Sequence, residues 1–189
     1  AGEIMPEHAC PVDSGNASER GEPFHGSGWL ETVALVALFA VYAGQQPPAV
    51  NEAHYLTKAR HYWDPSWCGR DLFLGSRDAH LVFCWLVGWL TQLLPLPAAA
   101  WCGRVLAWSS LAWGWRRLSY ATIARPGMSL LSAGLWLAFV EWGNMAGEWV
   151  VGGVEAKCFA YAAVFLALES LLRNRWNRGL ALFGLATSL

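Results

Sequence analysis

Residues 98–115 read AAAWCGRVLAWSSLAWGW, an apolar run in which Trp101, Trp108 and Trp115 recur every seven residues. This spacing places the three indoles on one face of a helix, where they would pack against another helix or contact lipid. Similar hydrophobic runs lie near residues 29–44, 81–96, 128–142, 158–172 and 179–189. Their close succession predicts an all-α chain built from consecutive apolar helices.

The composition is typical of a membrane protein. Of the 189 residues, 55% are hydrophobic, 14% are charged and 13 are Trp, whereas a soluble domain has about 25% charged residues. Several runs are shorter than the roughly 20 residues that cross a bilayer, but Trp and Arg stand near their ends, as interface anchors do. We therefore predict a polytopic transmembrane helix bundle, a multi-pass integral protein of the bacterial inner (plasma) membrane.

The two ends of the chain differ in character. Residues 1–28 are rich in Gly, Pro, Ser and acidic residues and lack hydrophobic periodicity, so we predict a disordered tail. Residues 29–189 form the predicted transmembrane helical domain, which we expect to be incomplete at its C-terminus because the sequence stops inside an apolar run. The net charge of −1 gives no indication of nucleic-acid binding, and the sequence leaves the oligomeric state open.

The segment after the first run concentrates charged and aromatic side chains. Asn51 is a suitable N-cap for a short helix reaching Trp63, and Asp64-Pro65 should end that helix. Its apolar face has an aromatic character, and a basic face lies opposite. We therefore predict an amphipathic juxtamembrane helix in the headgroup region. The apolar face comprises Tyr55, Leu56, Ala59, Tyr62 and Trp63, and the basic face His54, Lys58 and His61.

A second polar cluster occupies residues 147–157 and contains Gly152-Gly153, which permits a close backbone approach. The positive-inside rule places residues 116–125 and 173–178 in the cytoplasm and this cluster outside. The two polar clusters share a face only if one intervening run fails to span the membrane, or if two runs make a single bent crossing. The stretch 81–97, which is short and closed by two prolines, is the predicted irregular one.

The order of these motifs resembles that of the GT-C superfamily of membrane glycosyltransferases, which use sugars linked to polyprenyl phosphate. Asn51-Glu52-Ala53-His54-Tyr55 is similar to an acid-acid-x-x-Tyr motif, although Asn replaces the first acid. His80 opens the next run, Gly103-Arg104 opens the one after it, and Arg116-Arg117-Leu118 closes that run. The resemblance covers roughly residues 29–178 and corresponds to the N-terminal portion of such an enzyme.

This resemblance implies transfer of a sugar from a polyprenyl-phosphate carrier to an acceptor hydroxyl, with membrane lipid and the lipid-linked sugar as partners. Such a reaction needs a carboxylate base and cations, or a divalent metal ion, to stabilise the leaving phosphate. Glu52 is the candidate base. The other candidate catalytic acids are Asp64, Asp71 and Glu155, and the candidate substrate-binding residues are His54, Lys58, Arg70, His80, Glu148 and Lys157.

Structural roles compete with each of these assignments. Glu52 at the start of a helix is favoured by the helix dipole whatever its function, and Asp64 before proline is a natural turn cap. Arg70-Asp71 and Arg77-Asp78 are most simply neighbouring surface charges.

Two further hypotheses concern the whole protein. A transporter or lipid-handling protein would line a cavity with Arg104, Glu141 and Glu169. A non-enzymatic membrane scaffold would use the polar loops only to contact headgroups.

Overall fold

The computed structural model describes residues 28–49, 51–143 and 150–189. Within these ranges the chain is helical and contains no strand, which confirms the predicted all-α class. The predicted disordered tail falls outside the described residues, apart from Gly28, which begins the first helix. The helices are α1 Gly28–Ala43, α2 Glu52–Trp63, α3 Leu81–Phe83, α4 Leu90–Leu93, α5 Leu96–Thr122, α6 Met128–Gly143, α7 Ala156–Leu172 and α8 Trp176–Ser188.

The prediction of a polytopic transmembrane bundle is wrong, and the integral, multi-pass location in the bacterial inner membrane falls with it. No helix in the described ranges combines the length and the apolarity that crossing a bilayer requires. Helices α1 and α6 have 16 residues each and α7 has 17, fewer than the roughly 20 needed. Helix α5 has 27 residues but includes Arg104, Arg116 and Arg117. The juxtamembrane role of α2 is corrected for the same reason.

The stretch 81–97 is irregular, as its sequence predicts. Between α3 and α4 the backbone forms a π-helical segment, Cys84–Gly88. Helix α2 packs on this segment through buried Leu56 and Ala59. A Cβ at Gly88 would lie 3.0 Å from the Cβ of Ala59, so the small residues allow the two backbones to approach closely. π-Helical insertions are often found at functional sites.

Helix α5 lies at the centre of the fold and contacts α1, α6 and α7. The absence of a side chain at Gly114 permits the approach to α7, because a Cβ there would lie 3.0 Å from the carbonyl oxygen of Ala162. On another face, Trp115 stacks on Trp136 of α6 with ring centroids 4.8 Å apart. The tryptophan periodicity of α5 therefore contributes to helix packing at Trp108 and Trp115, whereas Trp101 is exposed.

Buried carboxylates at the helix contacts are neutralised by arginines. Glu31 accepts hydrogen bonds from the Tyr120 hydroxyl and the Gly127 N–H and lies 3.5 Å from Arg116. Glu169 is fully buried and pairs with both Arg117 and Arg173, at 2.8 and 2.7 Å. Such pairing offsets the cost of burying a charge.

Candidate ligand-binding pocket

A pocket of about 350 Å³ lies between α2 and the segment 73–84. This volume falls in the range of small-molecule sites. One wall comes from the first two turns of α2, and the other from the loop after α2 and the start of the π-helical segment. The lining residues are Asn51, His54, Tyr55, Lys58, Phe73, Ser76, Arg77, Asp78, Ala79, His80, Phe83 and Cys84.

Lys58 organises the loop that forms the outer wall. Its Nζ atom donates to the carbonyl oxygens of Phe73, Leu74 and Ser76 at 2.9, 3.0 and 2.6 Å, and contacts the Ser76 hydroxyl at 2.9 Å. The Asp78 carboxylate lies 3.5 Å away. Because an ammonium has only three protons to donate, these oxygens occupy its donors. Lys58 thus shapes the pocket, and its capacity to bind a ligand phosphate directly is small.

The remaining charges give the pocket a cationic character. Asp78 faces Lys58, so its negative charge is largely compensated within the wall. Arg77 is exposed and lines the pocket, and so does the imidazole of His54, which meets the Phe73 ring edge-on at 5.4 Å. A guanidinium is well suited to phosphate or carboxylate oxygens because it donates two parallel hydrogen bonds.

His80 lines the pocket and has a defined orientation. Its Nδ1 atom lies 2.7 Å from the main-chain oxygen of Leu189, the last residue of the sequence. This oxygen accepts the hydrogen bond, so Nδ1 bears the proton. In the neutral ring Nε2 is then an acceptor, and it lies 3.4 Å from the Tyr55 hydroxyl.

The floor of the pocket is apolar. Phe83 is fully buried and its ring meets Tyr55 at 5.3 Å. Burial, with a contribution from the Asp78 charge, raises the pKa of the Cys84 thiol to about 11. The thiol therefore stays protonated at neutral pH and acts as a small apolar side chain.

Glu52, the predicted base, lies outside this lining and is 0% exposed. Its Oε1 atom accepts from Arg104 Nε at 2.6 Å and from the Val154 N–H at 2.8 Å. Its Oε2 atom accepts from Arg104 Nη2 at 2.6 Å and from the Ala49 N–H at 2.8 Å. Arg104 is equally buried and also donates to the carbonyl oxygen of Gln45. A carboxylate has about four acceptor directions, and here each is occupied.

The surroundings of Glu52 favour its ionised form. Burial by itself would raise the pKa of this carboxyl, but the Arg104 hydrogen bonds and the N–H groups of Ala49 and Val154 outweigh burial, and the pKa lies below its usual value. A carboxylate that is strongly solvated by the protein is a poor proton acceptor. The contacts of Glu52 with Arg104 therefore indicate a structural role.

The second polar segment packs directly on Glu52. A Cβ at Gly153 would lie 2.3 Å from Glu52 Cγ, so only glycine allows this approach. Glu155 is 1% exposed, accepts from the Asn51 N–H at 3.4 Å, and lies 3.1 Å from Lys157 Nζ. The two acidic segments thus meet, as the predicted common site requires, although Glu52 and Glu155 lie in the protein interior. Glu148 is outside the described residues.

The other predicted site residues lie apart from the pocket. Asp64 accepts from the Ser66 hydroxyl and N–H at 2.5 and 3.1 Å, and these bonds lower its pKa. Asp71 accepts from the N–H groups of Phe73 and Leu74 at 2.8 and 3.1 Å. Both carboxylates therefore stabilise turns. Arg70 is exposed and is not a lining residue.

The structure thus brings together three of the predicted substrate-binding residues, namely His54, Lys58 and His80. The sequence predicts that Arg77 and Asp78 are neighbouring surface charges, whereas in the structure both line the pocket. No local pattern marks them, because the Lys58 contacts that position their loop come from another element. No group of three or more His, Cys, Asp or Glu side chains within the described ranges is arranged to bind a metal ion.

No family model, curated protein or solved structure matches this chain. The resemblance to the GT-C superfamily therefore depends on motif order alone, and nothing in these comparisons supports it.

Proposed function

We propose that the pocket between α2 and residues 73–84 binds an amphiphile that has an anionic, phosphate-type head and an apolar tail. The observation that supports this most directly is the combination of Arg77 and two imidazoles with an apolar floor in one cavity of about 350 Å³. A sugar joined through phosphate to an isoprenoid chain, the ligand that the motif order predicts, belongs to this class.

Charge favours an anion over a cation or a neutral ligand. Arg77 is exposed and its charge is available to a ligand, whereas the Lys58 and Asp78 charges face each other. A guanidinium bound to phosphate forms charge-assisted hydrogen bonds, which contribute about 1.5–3 kcal/mol each. Arg77 is therefore the residue expected to contribute most to head-group affinity.

Exposed apolar side chains stand next to pocket-lining residues in the chain. Phe73 lines the pocket and is 50% exposed, and its neighbour Leu72 is 93% exposed. Leu81, next to His80, is also 50% exposed. A hydrocarbon tail covering these side chains would add about 0.8 kcal/mol for each buried methylene. A tail with several carbons thus contributes as much affinity as the head group.

The proposal is tested by titrating the protein calorimetrically with hexyl phosphate and with two fragments of that molecule. Inorganic phosphate lacks the tail and hexanol lacks the head, so hexyl phosphate should bind at least about tenfold more tightly than either. Arg77→Gln should weaken hexyl phosphate by about tenfold and leave hexanol unchanged. Arg125→Gln removes an exposed arginine from the α5–α6 connection and should change neither affinity.

Absence of hexyl phosphate binding, or equal binding by the wild type and Arg77→Gln, would contradict the proposal. Sugar transfer is examined separately by incubating the protein with a prenyl-phosphate-linked sugar and measuring release of the sugar. Binding of that compound without release would support a ligand-binding protein and remove the transferase interpretation.

A further inference from the structure

We propose that the acidic N-terminal segment, residues 1–27, docks on an arginine-rich surface at one end of the helix bundle of the same chain. This arginine surface is formed by helix ends and connections near the start of α1. Its members are Arg116, Arg117, Arg125, Arg173, Arg175 and Arg178. None of them lines the proposed ligand pocket, so the docking is a separate interaction.

Four of these arginines are brought together where α5 and α7 end and α8 begins. Arg117 of α5 and Arg173, which follows α7, both contact the carboxylate of Glu169, at 2.8 and 2.7 Å. Arg175 precedes α8 and Arg178 lies in its first turn. The ends of three helices therefore contribute cations to one region.

The other two arginines lie at the same end, beside the start of α1. Arg116 is 3.5 Å from Glu31, which belongs to the first turn of α1. The same carboxylate accepts a hydrogen bond from the Gly127 N–H at 2.8 Å, and Arg125 stands two residues before Gly127. Arg116 also follows α5 to the position next to Arg117, so the two groups of arginines are continuous.

The arginine surface has an excess of positive charge. Within the described ranges, the acidic side chains that form ion pairs with its members are Glu31 and Glu169, and both are buried. Six arginines and two glutamates give a net charge of +4. Arg125, Arg175 and Arg178 are exposed, so much of this excess is accessible to an anionic partner.

Residues 1–27 have the opposite charge. They contain five acidic residues, one arginine and no lysine, which gives a net charge of −4 with neutral histidines. The acidic residues are Glu3, Glu7, Asp13, Glu19 and Glu22. The charge of the segment therefore equals that of the arginine surface and is opposite in sign, and such charges attract each other within a Debye length of about 10 Å at 0.1 M salt.

The segment is also attached beside the surface. It leads into Gly28, where a Cβ would lie 2.5 Å from Arg116 Nη2. Glu22 and Glu19 stand six and nine residues before Gly28, and an extended chain covers about 20 and 30 Å over these lengths. Helix α1 contacts α5, α5 contacts α7 and α7 contacts α8, with axes about 8–10 Å apart at each contact.

These acidic residues can therefore reach the exposed arginines at the start of α8. Covalent attachment raises their local concentration to about the millimolar range, so that contacts which are weak between separate molecules become populated within one chain.

Trypsin cleavage of the full chain tests the docking, because Arg20 is the single Lys or Arg in residues 1–27. The rate of cleavage after Arg20, measured by mass spectrometry, reports how accessible this segment is to the protease. At low salt, Arg175→Gln/Arg178→Gln should raise this rate by about threefold or more, because two exposed charges are lost from the surface. In about 0.5 M NaCl the rate of the wild type should approach that of the double variant, because salt screens the attraction.

Arg70→Gln/Arg77→Gln is the matched control for this measurement. It removes two exposed arginines from the loop after α2, outside the arginine surface, and leaves residues 1–27 unchanged. Cleavage after Arg20 should proceed in this variant at the rate of the wild type.

Carbodiimide cross-linking tests the contact directly. Arg178→Lys keeps the positive charge and supplies an amine, and the reagent joins an amine to a carboxylate, with loss of water, when the two groups touch. We expect an amide bond between this amine and Glu19 or Glu22 in monomeric protein, identified by mass spectrometry. Arg70→Lys places the same amine in the loop after α2 and should give no such product.

Equal cleavage after Arg20 in the wild type and Arg175→Gln/Arg178→Gln would overturn the proposal, and so would the absence of the cross-link in Arg178→Lys. A cross-link confined to covalent dimers would identify the segment of a second copy as the occupant and would exclude docking within one chain. Equal cross-linking in Arg178→Lys and Arg70→Lys would show that the segment has no preference for the arginine surface.

Discussion

At the scale of single residues, the most constrained pair is Glu52 with Arg104. Both side chains are 0% exposed and are joined by two hydrogen bonds of 2.6 Å. Arg104 additionally lies over the Trp101 ring, 4.8 Å from its centroid. Removing one member of such a pair leaves a buried charge without compensation, whereas replacing both by apolar residues removes the charge entirely.

Glu52→Gln should therefore lower the free energy of unfolding by about 3–5 kcal/mol, because Arg104 keeps its charge but loses its counter-ion. The double variant Glu52→Leu/Arg104→Met should regain only part of that loss, because it removes the charge but leaves the N–H groups of Ala49 and Val154 without their acceptor. Denaturant unfolding followed by circular dichroism measures both values. Asp64→Asn is the control, since Asp64 caps an exposed turn and asparagine retains an acceptor oxygen. A fully stable Glu52→Gln variant would contradict the structural role assigned to this pair.

At the scale of elements, α2 acts through its side chains on the loop that follows it. Lys58 donates to three carbonyl oxygens of that loop, and Trp63 donates to the carbonyl oxygen of Cys84 at 2.8 Å. The helix thus fixes both the outer wall and the start of the π-helical segment. A loop that is ordered by one ammonium should lose its order when that ammonium is removed.

Lys58→Met retains the length of the side chain but removes its donors, so the amides of residues 73–78 should exchange with solvent at least about tenfold faster. Hydrogen exchange with mass spectrometry measures this rate. Arg60→Met, on the same helix, removes a cation that stacks on Trp67 at 5.0 Å and should leave residues 73–78 unchanged. Equal exchange of this loop in the wild type and Lys58→Met would show that other contacts determine its conformation.

At the scale of the whole molecule, the segment 150–155 connects α2 with α5. Val154 is fully buried, and its N–H donates to Glu52. A Cβ at Gly103 of α5 would lie 2.6 Å from Val154 Cγ2, and Trp108 donates to the carbonyl oxygen of Gly152 at 3.2 Å. Glycines at positions 103 and 153 therefore permit three parts of the chain to meet around one ion pair.

Gly153→Ala should lower the free energy of unfolding by about 1–3 kcal/mol, because the added methyl would lie only 2.3 Å from Glu52 Cγ. Gly134→Ala is the matched control. Among the described residues, no atom outside the adjacent backbone of α6 lies within 4 Å of a Cβ built at this position. Alanine is also the better helix former, so stability should be unchanged or rise by up to about 1 kcal/mol. Thermal and denaturant unfolding of both variants measures the difference. Equal stability would refute the close packing of Gly153 on Glu52.

The sequence predicts the elements of this fold better than their environment. Hydrophobic periodicity locates the helices, and Asn51 and Asp64-Pro65 mark the ends of α2. Composition does not distinguish apolar helices that cross a bilayer from apolar helices that are too short to do so. The membrane assignment is wrong for this reason. At the pocket, His54 and His80 are predictable from their position beside hydrophobic runs. Arg77 is not, since its place depends on a loop that Lys58 orders from a distance.

The contact between His80 and Leu189 joins positions 109 residues apart in the chain through one hydrogen bond. Substitutions that displace the end of α8 would therefore change the orientation of an imidazole that lines the cavity, without altering any residue of α2.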